Sequence, residues 1–179
     1  MKRIWPLSDS AKPVIPKKGE PGSFWEDRGD RHHCGVDLYA PEGCRAVACE
    51  DAVVVRVGTF TSPMVTSYWN TTLFVDLRLG DGLICRYAEL GEVSVTLWEH
   101  VRRGHPVGGV GKVLIASEIT EQSPGYIRIL REHGRLSMLH FELWHSPPPD
   151  DVRYRGGNWF GDDPPGALLN PSWYLQGIR

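Results

Sequence analysis

No apolar stretch of the sequence approaches the roughly 20 residues that a helix needs to cross a bilayer, so no membrane span is expected. The apolar core of a signal peptide is missing too, because Pro6, Asp9 and Lys12 interrupt the opening Met-Lys-Arg-Ile-Trp-Pro run. This predicts a cytoplasmic chain, a mature form, or one that is released or virion-borne without a signal. Excess positive charge is also lacking. The formal net charge is −2, which gives no global field to attract a phosphate backbone. Lys17-Lys18 and Arg102-Arg103 are short enough to be ordinary solvated surface, so nucleic acid is not an expected partner. Cysteine is scarce: Cys34, Cys44, Cys49 and Cys85 form no C-x-x-C pair, which argues against a thiolate zinc knuckle. Their spacing suggests no disulfide framework, and free thiols are expected. Helical periodicity is thin as well, with a turn or two allowed over residues 95–103 and 125–133.

What is present suits one domain. Of 179 residues, 41% are hydrophobic and 23% charged, enough apolar material for a single core. Residues 1–22, with Pro6, Pro13, Pro16 and Pro21, read as an extended arm. Residues 23–145 show short apolar runs punctuated by Gly, Asp and Asn, the pattern of many short strands. Val53, Val55 and Val57 alternate with Ala52, Val54 and Arg56. Leu73, Val75, Leu77 and Leu79 alternate with Phe74, Asp76 and Arg78. Gly80-Asp81-Gly82 then predicts a tight turn, with residues 83–90 returning as the partner strand. The four glycines of 104–111 predict a close turn between strands. In 136–144, Leu139, Phe141 and Leu143 should face a core, with Met138, His140 and Glu142 on the other face. Residues 146–179, rich in Pro, Asp and Gly, read as a tail packed on the domain and pinned by Trp173, Tyr174 and Leu175. The expected fold is therefore all-β and mainly antiparallel, with long loops and little helix.

Two segments carry chemistry. In Arg31-His32-His33-Cys34-Gly35-Val36-Asp37, a histidine and an aspartate four residues apart share one face of an extended strand. An imidazole and a carboxylate together suit zinc. Taken alone, this pair reads better as a surface histidine and a turn-forming aspartate. His140 lies in an apolar strand, where a lone histidine is usually just hydrogen-bonded. Together the segments supply three nitrogen or oxygen ligands, the number that catalytic zinc commonly takes from protein.

The string H-x-G-V-D at His33–Asp37, followed by Tyr39-Ala40-Pro41-Glu42-Gly43 and the run 48–53, resembles the first motif of lysostaphin-type (LytM-like) zinc metallopeptidases. Gly104-His105-Pro106-Val107-Gly108-Gly109-Val110-Gly111 resembles the turn before that family's last motif, and Leu139-His140-Phe141-Glu142 resembles its final L-H-F-E string. Leu169-Asn170-Pro171-Ser172-Trp173-Tyr174-Leu175 resembles its closing tail. The resemblance spans about residues 24–175. It implies an antiparallel β fold with a groove, His33, Asp37 and His140 as ligands of one Zn2+, and hydrolysis of peptide bonds in peptidoglycan stem or cross-link peptides.

Two positions depart from that pattern. The family reads H-x-H in its last motif, and the first histidine assists the attacking water; here that residue is Met138. The family's Y-x-H string is Tyr87-Ala88-Glu89 here. Glu89 has three readings: a general base, a fourth metal ligand that closes the site, or a solvated strand carboxylate. Its spacing from Tyr87 places it on the groove face if the motifs align, with Tyr87, Met138 and Glu142 as second-shell or groove neighbours. His32, adjacent to His33, would point to the opposite face. The chain thus reads as a zinc metalloendopeptidase or as a non-catalytic module that binds peptidoglycan or a partner while keeping the zinc site. A phosphocarrier domain would need two facing histidines, and the Asp37 pairing argues against it.

Overall fold

The computed structural model describes residues 3–8, 14–176 and 178. Parts of the expected arm, including Pro13, and the final residues 177 and 179 lie outside the described residues. In chain order the elements are β1 (His32–His33), β2 (Val36–Tyr39), β3 (Arg45–Val47), β4 (Ala52–Thr61), β5 (Thr72–Leu79), β6 (Ile84–Val93), β7 (His100–Val101) and β8 (Pro106–Val110). There follow α1 (Gly125–Glu132), β9 (Met138–Trp144), β10 (Tyr154–Arg155), β11 (Asn158–Trp159), β12 (Leu168–Leu169) and α2 (Pro171–Leu175). The fold is mainly antiparallel β with little helix, as expected. Among the described residues no helix is long and apolar enough to cross a membrane.

The main sheet runs β12-β9-β6-β5-β4-β7, with β2 also on β9, and with β8 linking β3 to β6. A small second sheet joins β1, β11 and β10. The β5–β6 hairpin closes around Gly80-Asp81-Gly82, where Gly82 takes φ 90° and the Asp81 carboxylate accepts from the Leu83 N–H at 3.1 Å. The main core contains Val54, Val75, Leu77, Tyr87, Leu139, Phe141 and Leu143. β9 is buried on both faces. Leu139, Phe141 and Leu143 enter the main core, while Met138 joins a second apolar cluster with Trp69, Leu114, Ile127 and Leu130. That second cluster includes α1, whose residues fall within the segment read as able to form a turn or two.

Three local expectations change. Residues 95–103 hold no helix: they form a turn and β7, because Val54 accepts the Trp98 N–H at 2.8 Å and Val101 pairs with Ala52 on the edge of β4. Most of the glycine-rich stretch is strand β8 and not a turn, because its missing side chains let it lie directly against β6. Among the three residues expected to pin the tail, Tyr174 and Leu175 are buried in α2, but Trp173 is 47% exposed. At the other end Trp5 and Leu7 pack into the core, and Leu7 bridges to Ala46 beside β3.

Candidate metal centre

His33 and Asp37 do not lie on one continuous strand. The chain breaks between β1 and β2 at Cys34-Gly35, and a Cβ on Gly35 would sit 2.5 Å from the Phe141 carbonyl oxygen and 2.8 Å from the His140 ring. The break lets β2 pair with β9 so that Asp37 faces His140 directly across the ladder. Three atoms converge as a result. His33 Nε2 lies 2.9 Å from His140 Nδ1 and 3.1 Å from Asp37 Oδ1, and His140 Nδ1 lies 3.0 Å from the same oxygen. All three side chains are buried.

The outward side of each ring determines what faces inward. His33 Nδ1 is 2.9 Å from the Ser23 carbonyl oxygen, which only accepts, so that nitrogen carries the proton. His140 Nε2 is 2.8 Å from Glu142 Oε1, which also accepts from the Tyr154 hydroxyl at 2.8 Å. Glu142 Oε2 accepts from Trp144 Nε1 at 2.7 Å. His33 therefore aims a bare Nε2 lone pair inward, toward Asp37 Oδ1 and His140 Nδ1. In the metal-free protein a proton on His140 Nδ1 bridges these acceptors, and a metal cation would take that proton's place among the three atoms.

The charge balance follows. Burial disfavours charge on His140, but the hydrogen bonds to Asp37 and Glu142 prevail and push it up to about 10. Burial, with the Arg28 guanidinium nearby, lowers His33 and keeps it neutral. Burial opposes ionisation of Asp37, but His33, His140 and Arg28 hold it well below the usual carboxylate range. Arg28 donates to Asp37 Oδ2 at 3.2 Å, leaving Oδ1 for the triangle. The donor set suits zinc: bonds of about 2.0–2.2 Å in a tetrahedron imply ligand separations of about 3.3–3.6 Å. The triangle is within a few tenths of an ångström of that, and it supplies three of the four ligands of a tetrahedral site.

Glu89 reaches the same cleft by a route that its spacing does not reveal. In a regular strand, residues two apart share a face, so Glu89 would follow Tyr87. Tyr87 sits in the main core, not the groove, with its hydroxyl accepting the Cys49 N–H at 2.9 Å. Between β5 and β6, Val75 opposes Tyr87 while Leu73 opposes Leu90, so β6 carries one extra residue. Glu89 occupies this bulge with φ 62°, and its side chain turns to the face of Ala88, which pairs with His140. There it lines a cleft with Asp37, Arg28, Met138 and Asn158. Burial, and secondarily Asp37, raises its carboxyl to about 8, and Oε2 is buried without a hydrogen-bond partner. Among the described residues, the group whose ligand atoms all lie within 4.8 Å of one another is His33, Asp37 and His140, without Glu89.

The other candidates separate clearly. Met138 is buried in the apolar cluster under α1 and also borders the cleft. Glu142 is fully buried behind His140. His32 points away and stacks on Trp25 at 4.6 Å. Sequence reasoning missed Arg28, Ser23, Tyr154 and Asn158. Arg28 bonds to Glu26, Asp37 and Asn158 and lies under the Tyr126 ring at 4.5 Å. In the sequence it stands in Asp27-Arg28-Gly29-Asp30, which reads as an exposed turn.

Residues 31–151 match the model of Peptidase family M23. No curated protein matches the chain. Among solved structures, the catalytic domain of the antimicrobial peptidase lysostaphin from Staphylococcus simulans is 16% identical with a TM-score of 0.51, covering 82% of this chain and 80% of that one. This chain spans 50% of a longer lysostaphin chain. The catalytic domain of the prophage-encoded M23 protein EnpA from Enterococcus faecalis is 18% identical with a TM-score of 0.51, covering 93% and 94%. A chain of the SpoIIIAH and SpoIIQ complex is 17% identical with a TM-score of 0.55, covering 96% and 99%. At such identities the likeness establishes the fold.

Proposed function

Because the chain belongs to peptidase family M23, we propose that it is a zinc-dependent metalloendopeptidase that cleaves stem or cross-link peptides of peptidoglycan. The observation that carries this reading is the triangle of His33 Nε2, Asp37 Oδ1 and His140 Nδ1, with each ring's other nitrogen already committed to an acceptor. These three side chains would hold the ion. When bound, zinc would polarise the scissile carbonyl and make water acidic enough to attack near neutral pH.

The chain's own residues handle the proton. Met138 has no group to accept one, so the role falls to Glu89. Its carboxyl, raised to about 8 by burial and Asp37, sits near neutral pH, where a proton can be both taken and returned. Its unpartnered Oε2 in the cleft is free to receive the proton of the attacking water and to deliver it to the leaving amine. Arg28 engages Asp37 Oδ2, so Oδ1 would be the oxygen offered to the ion.

A second reading is a module that retains zinc and binds peptidoglycan or a protein without cutting. It is favoured by one observation, the burial of Met138 among Trp69, Ile127 and Leu130 where the family has an assisting histidine. Glu89→Gln separates the two. The enzyme reading expects loss of muropeptide turnover with zinc content unchanged. Loss of zinc together with activity would make Glu89 a ligand instead. Wild type that binds peptidoglycan fragments but cleaves none supports the module, and Met138→His then asks whether that one group restores cleavage.

A further inference from the structure

The hairpin of β10 and β11 lies beyond residue 151, where the match to the family ends, yet it reaches all three candidate ligands. His33 pairs directly with Asn158, and the Cys34 N–H donates to the Gly157 carbonyl at 2.8 Å. Asn158 Oδ1 accepts from Arg28 Nη1 at 3.0 Å, and Arg28 Nη2 donates to Asp37 Oδ2 at 3.2 Å. The Asn158 amide nitrogen donates to the Gly156 carbonyl at 2.8 Å, which fixes which way the amide points. On the other strand, the Tyr154 hydroxyl donates to Glu142 Oε1 at 2.8 Å, and Glu142 accepts from His140. The same hydroxyl accepts from Arg86 Nη1 at 2.9 Å. Arg86 is itself clamped on Asp76 by bonds of 2.7 and 2.8 Å.

We propose that this hairpin is a positioning element of the metal centre, steadying His33 through strand pairing, Asp37 through Asn158 and Arg28, and His140 through Tyr154 and Glu142. The proposal rests on the zinc reading above. Its physical basis is general: a metal-binding imidazole or carboxylate is held in its productive orientation by the groups bonded to its far side. Tyr154 and Asn158 touch no ligand atom. Each acts through one intermediary, and the two intermediaries serve different ligands.

The test uses the full chain and zinc alone as the probe. Zinc affinity is measured by competition with a chromogenic chelator, and the visible spectrum of the Co2+-loaded protein reports ligand geometry. Tyr154→Phe removes a single oxygen. It should weaken zinc binding by about 10–100-fold and alter the Co2+ bands. Asn158→Ala should do likewise, and the two losses should multiply in the double variant because the paths are separate. In a Glu142→Ala background, Tyr154→Phe should cost nothing further, because its path to His140 is already cut. Urea unfolding of the metal-free proteins separates a fold defect from a site defect: a merely structural role lowers the midpoint and leaves the Co2+ spectrum unchanged, which overturns the proposal. Zinc affinities within about twofold of wild type for both single variants also overturn it. Wild type that takes up no zinc would remove the zinc reading and this proposal together. Wild type that binds zinc, with variants that bind it equally well, would remove the hairpin's role alone.

Discussion

Gly157 is where backbone conformation and the candidate metal centre meet most directly. Its φ is 71°, and a Cβ placed there would lie 2.5 Å from both Cε1 and Nε2 of His140. Gly157→Ala therefore adds two costs. Holding an L-residue in the left-handed region costs about 1–2 kcal/mol. Forcing a methyl into a filled interior costs about 1–3 kcal/mol more. Two other glycines separate these contributions. Gly134 has φ 65° with nothing within 4 Å of its Cβ position, so Gly134→Ala carries the conformational cost alone. Gly35→Ala meets the Phe141 carbonyl and the His140 ring without a left-handed φ, so it carries the steric cost alone. Urea unfolding should show Gly157→Ala losing about 2–5 kcal/mol, the sum of the two. Gly134→Ala should leave zinc affinity at the wild-type value. The other two variants should weaken it by at least about tenfold, because the methyl displaces the ring that carries a ligand nitrogen. The reasoning is refuted if Gly157→Ala matches Gly134→Ala in both stability and zinc affinity.

Phe141 is fully buried, edge-on to Tyr87 at 5.1 Å and stacked on Tyr174 at 6.0 Å. Phe141→Ala should cost about 3–5 kcal/mol in urea unfolding; a loss under about 0.5 kcal/mol would place the ring outside the core. Arg86 and Asp76 form a buried pair, so Arg86→Leu should cost up to about 3–5 kcal/mol by leaving the buried carboxylate to the more distant Arg56 at 3.7 Å, and adding Asp76→Leu should recover part of it. A double variant no more stable than Arg86→Leu would count against this account. Glu89 gives a pH signature in chelator-treated protein. Its carboxyl is raised from 4.5 to about 8 in the fold, so above about pH 4.5 the native state holds a proton that the unfolded chain has released. Its contribution therefore lowers stability as pH rises from about 4.5 to about 8, by at most about 1.4 kcal/mol per pH unit. Glu89→Gln should be progressively more stable than wild type across that window; parallel curves would show that the carboxyl is not held up.

The candidate ligand set is readable only through the family resemblance: taken alone, His33 and Asp37 read as a surface histidine and a turn-forming aspartate, and the H-x-G-V-D and L-H-F-E strings together single out His33, Asp37 and His140. The Gly80-Asp81-Gly82 turn, by contrast, announces its hairpin in the local residues, because turn geometry is a short-range property. What brings Asp37 and His140 together is the β2–β9 ladder between residues 103 apart in the chain, with His33 carried in beside them on β1, and no local pattern encodes that register. Glu89 shows the limit most sharply. Period-two reasoning holds only while a strand is regular, and the one-residue bulge that turns Glu89 from the core to the cleft depends on how β5 and β6 align. Arg28, Tyr154 and Asn158 leave no signal, since in the chain they are polar residues in turn-rich stretches. They come together around the candidate metal centre only where the β10–β11 hairpin packs on β1, because a hydrogen bond between distant segments exists only once the fold has placed both partners.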